Sequence, residues 1–397
     1  MYKNLAELRE SNGKAECNFF KTLGYDYYYL EEGNNLEKLI ETFQKVKDIN
    51  HPVVVHLHTL KGKGLPQAEA QKEKFHWVCP GILDEQPISE KIEDYNSITT
   101  DYILNKAKND STILVVSPAT PGATGFTQEF REKLGKQYTD VGIAEEHAIG
   151  YISGMAKNGA KPILAVLSSF VQRTYDQLSQ DLALNNSPAT ILVYWGGISS
   201  ADCTHLGCFD IPLISNIPNI VYLAPTCKEE YLAMLDWSVE QTKYPVAIRV
   251  PFGEFISTKK EYQKDYSELN KYQVIEKGKD IAIIALGNFF QLGEKVKNQL
   301  NQEGINATLI NPRYITGLDT ELLEELKEDH KIVVTLENGI LDGGFGEKIA
   351  RYYGNSDTRV LNFGANKEFT DRVPLDELYQ RYHLTPKLII ENIKKYL

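Results

Sequence analysis

The sequence lacks several features that mark other classes of protein. No apolar run approaches the length of a membrane-spanning helix, and the charged start of the chain has no apolar stretch typical of a signal peptide. No block of Lys and Arg occurs and the net charge is -11, which argues against a nucleic-acid partner. Only five of the 397 residues are Cys, so we expect free thiols in a cytoplasmic protein.

The composition is that of a folded protein, with 42% hydrophobic and 24% charged residues. A chain of 397 residues is long enough for roughly two or three domains. Short apolar runs alternate with longer amphipathic stretches, which predicts an α/β fold with parallel sheets covered by helices. The predicted strands are 52–58, 113–117, 162–167, 190–194, 220–224, 245–249, 280–286, 307–310 and 331–336. The predicted helices are 34–47, 99–108, 145–157, 171–185, 228–240, 291–302 and 346–353.

Two charged, irregular stretches indicate domain boundaries. Residues 77–97 contain prolines and a glycine without apolar periodicity, which is typical of a linker, and residues 252–272 are similar. The resulting segments are 1–96, 97–255 and 270–397. The first of them is predicted to hold one helix, one strand and a long loop, too little to bury a core of its own.

A candidate site residue lies in the sequence DVGIAEEH at 140–147, where a predicted strand ends and a helix begins. An acidic residue is common in the first turn of a helix, because the helix N-terminus stabilises a carboxylate by about 0.3–1 kcal/mol. Here small and apolar residues precede Glu145. Its carboxyl should therefore lie at the carboxyl edge of the sheet, where α/β folds bind ligands.

The sequence LSSFVQRTYDQ at 167–177 repeats this passage from strand to helix. Phe170, Arg173 and Gln177 lie three and four residues apart and so share one helix face. An aromatic ring and a guanidinium would then emerge at the same sheet edge. The alternative is a core Phe and a solvated Arg, and the segment alone leaves both open.

A third cluster is the polar loop SSADCTHLGCFD at 199–210. The spacing of Cys203, His205 and Cys208 is compatible with zinc, but structural zinc takes four ligands and no second Cys or His pair is near in the sequence. We favour a catalytic or substrate-contacting role for His205, because imidazole exchanges protons near neutral pH.

Two glycine-rich segments are weaker signals. KGKG at 61–64 follows a predicted strand but lacks the longer spacing of a phosphate-binding P-loop. LDGGFGE at 341–347 differs in spacing from a dinucleotide-binding motif, so we interpret it as structural.

These segments occur in the order found in the transketolase superfamily, and the chain most resembles its 1-deoxy-D-xylulose-5-phosphate synthases. The resemblance extends from about residue 19 to residue 397. It implies a pyrimidine-binding domain and a transketolase C-terminal domain, each with a parallel sheet, and identifies residues 1–96 as the remnant of a diphosphate-binding domain. The matching blocks are LHTLKGKG, FHW, DVGIAEEHA, SSFVQRTYDQ, THLGCFDI, IPNIVYLAPT, AIRVPFGE and LENGILDGGFGEKI.

The resemblance implies that the chain binds thiamine diphosphate. Glu145 matches the glutamate that hydrogen-bonds a ring nitrogen of the aminopyrimidine, and Phe170 matches the aromatic residue that packs on that ring. Arg173 and Ile143 are the other implied cofactor-binding residues. A carboxyl group is needed there because sharing a proton with the ring activates the cofactor.

The same resemblance implies catalytic and substrate-binding residues. His205 and His76 match catalytic histidines, and Asp202 and Arg249 match positions near the substrate. The implied reaction is decarboxylation of pyruvate and transfer of the two-carbon unit to glyceraldehyde 3-phosphate, a step toward isoprenoids and thiamine. The loop around Asp202 is shorter than is usual in the family.

Other positions depart from the family pattern. The Gly-Asp-Gly motif and the downstream Asn that hold Mg²⁺ are not in the sequence, so we expect the metal ligands from a preceding region. Several contact positions also carry an unusual residue, which leaves binding of a phosphorylated acceptor open. They are Leu65, Thr120, Leu167, Trp195 and Phe252.

Two classes of function are compatible with these observations. One is an enzyme completed by a preceding region or by a separate chain, as in split thiamine-diphosphate enzymes, and assembled as a homodimer. The other is a non-catalytic paralogue that serves as a binding or assembly module. We expect the chain alone to bind the cofactor weakly or not at all.

Overall fold

The computed structural model describes residues 2–76, 78, 83, 93–251 and 255–397. The chain forms two compact units, Met1–Glu90 and Lys91–Leu397. Most of the predicted linker and the departure at Phe252 lie outside the described residues. Within the described ranges, the search for a helix of sufficient length and apolar character to traverse a bilayer gives no candidate.

The first unit contains a two-stranded parallel sheet, in which Asp26 pairs with Val53. Its strands are β1 (Asp26–Leu30) and β2 (Val53–Leu57), and its helices are α1 (Tyr2–Glu10), α2 (Phe19–Thr22), α3 (Leu36–Val46) and α4 (Pro66–Ala70). The prediction of one strand and one helix is therefore wrong. β1 has the sequence DYYYL, and this run of tyrosines lacks the polar alternation by which a strand is recognised.

A six-stranded parallel sheet begins the second unit, with strand order β4-β3-β5-β6-β8-β7. Its strands are β3 (Ile113–Ser117), β4 (Tyr138–Asp140), β5 (Lys161–Leu167), β6 (Thr190–Gly196), β7 (Val221–Leu223) and β8 (Val246–Pro251). Its helices are α5 (Tyr95–Ala107), α6 (Gln128–Leu134), α7 (Glu145–Lys157), α8 (Tyr175–Gln177), α9 (Asp210–Ile214) and α10 (Lys228–Glu240). Helices alternate with strands as predicted, which confirms the α/β class.

A five-stranded sheet follows, with strand order β13-β12-β10-β11-β9. Its strands are β9 (Gln273–Glu276), β10 (Asp280–Ala285), β11 (Thr308–Asn311), β12 (His330–Ile340) and β13 (Arg359–Ala365). Its helices are α11 (Phe290–Gln302), α12 (Thr320–Asp329), α13 (Phe345–Tyr353), α14 (Leu375–Arg381) and α15 (Pro386–Lys394). The edge strand β9 runs antiparallel to β11. Its four exposed residues, QVIE, contain only two adjacent apolar side chains, which is too short a run to predict a strand.

The two sheets of the second unit share one hydrophobic core. A single cluster of buried side chains contains residues of both, among them Val166, Ile211, Ile284, Val333 and Phe345. A buried polar contact also joins them, because Asn311 Nδ2 donates to Glu230 Oε1 at 2.9 Å. The second sheet can therefore influence loops at the edge of the first.

The helical segment after β5 changes its winding. The predicted helix 171–185 consists of a 3₁₀ turn, the short α8 and a π-helical turn, which are Val171–Thr174, Tyr175–Gln177 and Leu178–Ala183. Single π-helical turns occur often at functional sites. The segment therefore keeps its predicted place in the fold but differs from a regular α-helix.

Candidate active site

The strand order of the six-stranded sheet creates a crevice at one edge. From β3 the chain crosses to β4, and it then returns to the other side of β3 to form β5. Parallel α/β sheets bind ligands outside the carboxyl ends of the strands at such a switch point. The segments that follow β3, β4 and β5 therefore line the candidate site.

Glu145 is the buried carboxylate of this crevice. A tight turn precedes it, in which Gly142 adopts a φ of +75° and Asp140 Oδ1 accepts the Gly142 N–H at 2.8 Å. The same Asp140 oxygen accepts the Ala119 N–H at 3.2 Å, which ties the turns after β3 and β4 together. Glu145 is the first residue of α7 and is only 3% exposed. Asp140 was not predicted from the sequence, although an Asp two residues before a Gly is typical of a side-chain-capped turn.

Arg173 is the charged partner of Glu145. Its Nη1 donates to Glu145 Oε2 at 2.7 Å, and its Nη2 lies 3.4 Å from the Glu146 carboxylate. The Arg173 side chain is 43% exposed. A polar group buried as deeply as the Glu145 carboxyl needs a hydrogen-bonded partner, because burial without one costs free energy. Arg173 supplies it from the segment after β5.

Phe170 and His205 lie beside each other at the same edge, with ring centroids 5.4 Å apart. His205 Nδ1 is 3.1 Å from Asp202 Oδ1, and the same oxygen accepts the Thr204 hydroxyl and, at 2.9 Å, its backbone N–H. These hydrogen bonds, led by the one from the Thr204 hydroxyl, hold the pKa of Asp202 well below its ordinary value. An ionised Asp202 therefore orients the imidazole.

Two buried hydroxyls at this edge fit a polar ligand. Ser117 Oγ, at the end of β3, and Thr120 Oγ1, in the following turn, have no hydrogen-bond partner among the residues that the structure describes. A buried hydroxyl without a partner costs free energy, and a bound group can supply what is lacking. An aminopyrimidine offers both N–H donors and a nitrogen acceptor, so these residues fit such a group. Ser117 was likewise not predicted, and its signal is one polar residue at the end of the apolar run ILVV.

The sequence matches known families along most of its length. Residues 94–255 match the family model for the transketolase pyrimidine binding domain, residues 270–389 that for the transketolase C-terminal domain, and residues 1–59 that for 1-deoxy-D-xylulose-5-phosphate synthase. The 1-deoxy-D-xylulose-5-phosphate synthase of Clostridium botulinum (strain Alaska E43 / Type E3) is 35% identical over 384 residues, a match that covers 95% of this chain. The chain thus contains a transketolase pyrimidine binding domain and a transketolase C-terminal domain, and it is similar to a 1-deoxy-D-xylulose-5-phosphate synthase over most of its length.

Curated members of the synthase family are longer than the region they share with this chain. The match covers 61% of the Clostridium botulinum synthase. The synthase of Clostridium tetani (strain Massachusetts / E88) is 33% identical over 385 residues, which cover 95% of this chain and 61% of that protein. The chain therefore spans about 61% of the length of these relatives.

Solved transketolase structures share the fold of this chain. A structure described as split gene transketolase, inactive beta4 tetramer, has a TM-score of 0.63 and 21% identity, and the match covers 75% of this chain and 95% of that one. Pichia stipitis transketolase in complex with a sedoheptulose phosphate has a TM-score of 0.62 and 16% identity, and the match covers 76% of this chain and 45% of that one. At these identities the similarity shows the fold alone.

The remaining residues implied by the synthase family lie in different surroundings. Ile143 is 77% exposed in the turn before α7, an unusual position for a large apolar side chain. His76 belongs to the first unit and is exposed, with its Nδ1 2.6 Å from Lys61 Nζ. Ile143 is thus open to a ligand, and the His76 side chain contacts Lys61 of its own unit.

Arg249 requires a correction, because its surroundings are those of a structural residue. Its side chain is 5% exposed and forms a bidentate ion pair with Asp210, with Nε and Nη2 at 2.7 and 2.9 Å from the two carboxylate oxygens. Nη2 also donates to the carbonyl of Asn338 at 2.8 Å. These contacts occupy the guanidinium and join the two sheets of the second unit. Arg249 is therefore a structural residue and not a substrate contact. A charged residue within the apolar run of β8 is the sequence signal for this role.

Four of the departures from the synthase pattern can be placed. Leu167 is buried at the end of β5, and Trp195 adopts a φ of +62° at an irregularity of β6, where Ser168 Oγ donates to its carbonyl at 3.0 Å. A bulky residue rarely adopts this backbone conformation. Leu65 is the residue before α4, and Thr120 lies in the turn after β3 with its hydroxyl oxygen buried.

The described parts of the chain contain no group of three or more His, Cys, Asp or Glu side chains that could hold a metal ion. Cys203 is exposed and Cys208 is buried, and both are free thiols. The two cysteines of this loop therefore have different surroundings, since one thiol lies on the surface and the other in the core.

The glycine-rich segment at 341–347 binds a carboxylate of the chain itself. Glu337 accepts the backbone N–H groups of Phe345 and Gly346, both at 2.8 Å, at the start of α13. A Cβ at Gly344 would lie 2.5 Å from the same carboxylate. The N-terminus of α13 is therefore already satisfied by Glu337, as expected for a structural segment.

Proposed function

We propose that the chain supplies the pyrimidine-binding and C-terminal domains of a thiamine-diphosphate-dependent transferase that acts on pyruvate and glyceraldehyde 3-phosphate. The observation that carries the proposal is Glu145, a buried carboxylate at the switch point of a parallel sheet. The family match to a pyrimidine-binding domain covers this sheet.

Glu145 would share a proton with a ring nitrogen of the aminopyrimidine. When bound, thiamine diphosphate supplies the carbon nucleophile that breaks and forms carbon–carbon bonds. Burial of Glu145 keeps water away from its hydrogen bond, which strengthens that bond. Arg173, at 2.7 Å, fixes the orientation of the carboxylate.

The neighbouring side chains would hold the ring. Phe170 is half-buried and presents an aromatic plane for stacking on a heteroaromatic ring. The hydroxyls of Ser117 and Thr120 would complete hydrogen bonds to polar atoms of the ligand, and the exposed Ile143 would cover its apolar part. The ring thus gains contacts from all three segments that line the crevice.

His205 would act on the substrate. Its imidazole is oriented by the Asp202 carboxylate and lies beside Phe170, so it can exchange a proton with a substrate carbonyl oxygen held above the ring. Asp202, which is ionised, contacts one imidazole nitrogen of His205 and so orients the ring.

Diphosphate and Mg²⁺ would be held elsewhere. Their ligands would come from the part of the longer relatives that the match does not cover. The complete enzyme would be a cytoplasmic homodimer, in which His76 also approaches the substrate. The chain alone should then bind the cofactor more weakly than micromolar.

Ligand-observed saturation-transfer NMR tests this proposal because it detects weak binding. With this chain and thiamine diphosphate, the aminopyrimidine protons should receive more saturation than the thiazolium protons. E145Q keeps the size of the side chain and should abolish the effect. E146Q is the matched control, since Glu146 is the next residue and also contacts Arg173, and it should behave as the wild type.

Three results would refute the proposal. One is saturation transfer to the thiazolium protons that equals or exceeds the transfer to the pyrimidine protons. A second is an equal effect in wild type and E145Q. The third is micromolar affinity of the chain alone, which would show that the diphosphate ligands are already present.

A second candidate is the small subunit of a split transferase. It is favoured by the match that covers 95% of the chain described as split gene transketolase. A split enzyme would need a separate chain for the diphosphate. Sedimentation equilibrium of the purified chain gives its own state of assembly, and a monomer at all concentrations would contradict the proposed homodimer.

A further inference from the structure

The loop that carries Asp202 and His205 is attached to the other sheet of the second unit. Residues 197–208, here called the site loop, close on themselves because Gly197 N–H donates to the Gly207 carbonyl at 2.8 Å. The site loop follows β6 of the six-stranded sheet. Several of its hydrogen bonds, however, are made with β12 and with later residues of the C-terminal domain.

Asn338 makes the first of these contacts. Its Oδ1 accepts the backbone N–H of Ile198 at 2.8 Å, and its Nδ2 lies 3.2 Å from Asn288 Oδ1. Asn338 is 4% exposed, so the Ile198 N–H has no access to bulk water there. The amide also packs against Gly197, where an added Cβ would lie 2.4 Å from Nδ2.

Two further contacts come from the same domain. The Ile340 N–H donates to the Cys208 carbonyl at 3.0 Å, at the far end of the site loop. The Arg372 N–H donates to the Ala201 carbonyl at 3.0 Å, next to Asp202. The C-terminal domain therefore holds the site loop at its beginning, its middle and its end.

We propose that Asn338 is a positioning residue of the site, through which the C-terminal domain holds the site loop with His205 against Phe170. The Ile198 N–H is the only atom of the site loop that Asn338 is shown to bind in the described residues. Loss of that acceptor leaves a buried N–H unpaired, and local opening of the site loop then becomes more frequent. The proposal rests on the proposed function in that it takes His205 to be a site residue.

The chain contains its own reporters of site-loop opening. Cys208 is 7% exposed, its side chain packs in the core of the C-terminal domain, and burial raises the pKa of its thiol to about 12. Cys203, five positions earlier in the same loop, is exposed. Cys227 is a buried thiol outside the loop, in the residue before α10. Alkylation of Cys208 therefore reports release of the loop, with Cys203 and Cys227 as internal references.

The test compares three variants by native-state alkylation with iodoacetamide and peptide mass spectrometry. N338L removes the acceptor at similar volume. N338D retains it, and the Asn288 amide can rotate to donate to the second carboxylate oxygen. N311L removes another buried Asn of the same domain. Asn311 contacts Glu230, which binds Thr226 beside Cys227, so this variant perturbs a region outside the site loop.

We expect N338L to alkylate Cys208 at least about tenfold faster than wild type, which corresponds to about 1.4 kcal/mol, with Cys227 unchanged. N338D should stay close to wild type. N311L should accelerate Cys227 and not Cys208. In aromatic NMR spectra, the nuclear Overhauser effect between Phe170 and His205 should disappear in N338L and persist in N311L.

Unchanged Cys208 reactivity in N338L would overturn the proposal, as would equal acceleration in N311L or in N338D. Wild-type protein provides a test that requires no variant to fold: hydrogen exchange at the Ile198 amide as fast as in an exposed loop would also overturn it. These experiments contain no cofactor. Their failure therefore leaves the proposal for Glu145 standing, and absence of thiamine diphosphate binding leaves the role of Asn338 standing.

Discussion

Arg173 Nη1 lies 2.7 Å from Glu145 Oε2, and this contact joins the segments that follow β4 and β5. The carboxylate is almost completely buried, whereas the guanidinium is partly exposed. A ligand that shares a proton with Glu145 therefore meets an acceptor that is already oriented and charge-balanced. The site is organised by the protein before any ligand binds.

Removal of Arg173 should destabilise the protein. In R173M the Glu145 carboxylate stays buried and loses its charged partner, which we expect to cost about 1–3 kcal/mol of unfolding free energy. The double variant E145Q/R173M should recover part of this loss, since no buried charge remains. Urea unfolding of the two single variants and the double variant measures the coupling, and strictly additive effects would contradict the assigned ion pair.

Arg249 should prove structural. In R249M the fully buried Asp210 carboxylate keeps the Tyr222 hydroxyl but loses its cation, so we expect a loss of about 3–5 kcal/mol in urea unfolding. R381M is a suitable control, because Arg381 pairs with Glu377 and Glu368 on the surface, and its replacement should change the free energy of unfolding far less. A normally stable R249M that fails only in substrate binding would restore Arg249 to the substrate site.

Glu337 should make stability depend on pH. Burial raises the pKa of this carboxyl to about 7, above its unfolded value. The folded state therefore binds more protons between these two pKa values, and the contribution of Glu337 to stability is lost as pH rises through 7. From pH 5 to pH 7, wild type should lose about 2 kcal/mol relative to E337Q. Parallel pH profiles of the two proteins in urea unfolding would contradict this.

Gly207 should tolerate no side chain. A Cβ there would lie 1.8 Å from the Trp195 carbonyl oxygen, so G207A has to open the contact between Gly197 and Gly207. We expect G207A to lower the free energy of unfolding by about 1–3 kcal/mol. The ring contact between Phe170 and His205 should also be lost. G122A is the control, because no atom lies within 4 Å of its Cβ. Equal unfolding midpoints for G207A and G122A would disprove the assigned geometry.

The sequence allowed prediction of those elements whose local signals agree with the fold. The helix from Glu145 to Lys157 has the bounds predicted for it, because a polar turn, an acidic first turn and apolar periodicity coincide there. The sheet edge that gathers Glu145, Phe170 and His205 followed from the rule that parallel strands end on one side.

Other features depend on contacts distant in sequence and could not be predicted. The Asn338 amide meets Ile198 across 140 positions, and nothing in its local sequence indicates a partner. Arg249 was assigned by resemblance, whereas its burial against Asp210 emerges only when two sheets pack together. Strand β9 was missed for a different reason: it has four residues with two adjacent apolar side chains, which is too short to show the pattern that marks the other strands.

The most direct test of the central claim is the ¹⁵N chemical shift of the pyrimidine ring nitrogen in labelled thiamine diphosphate, titrated with wild type, E145Q and E146Q. We expect the shift to move toward its protonated value with wild type and E146Q, and to stay at the free-ligand value with E145Q. An identical shift change with E145Q and wild type would show that Glu145 does not share a proton with the ring.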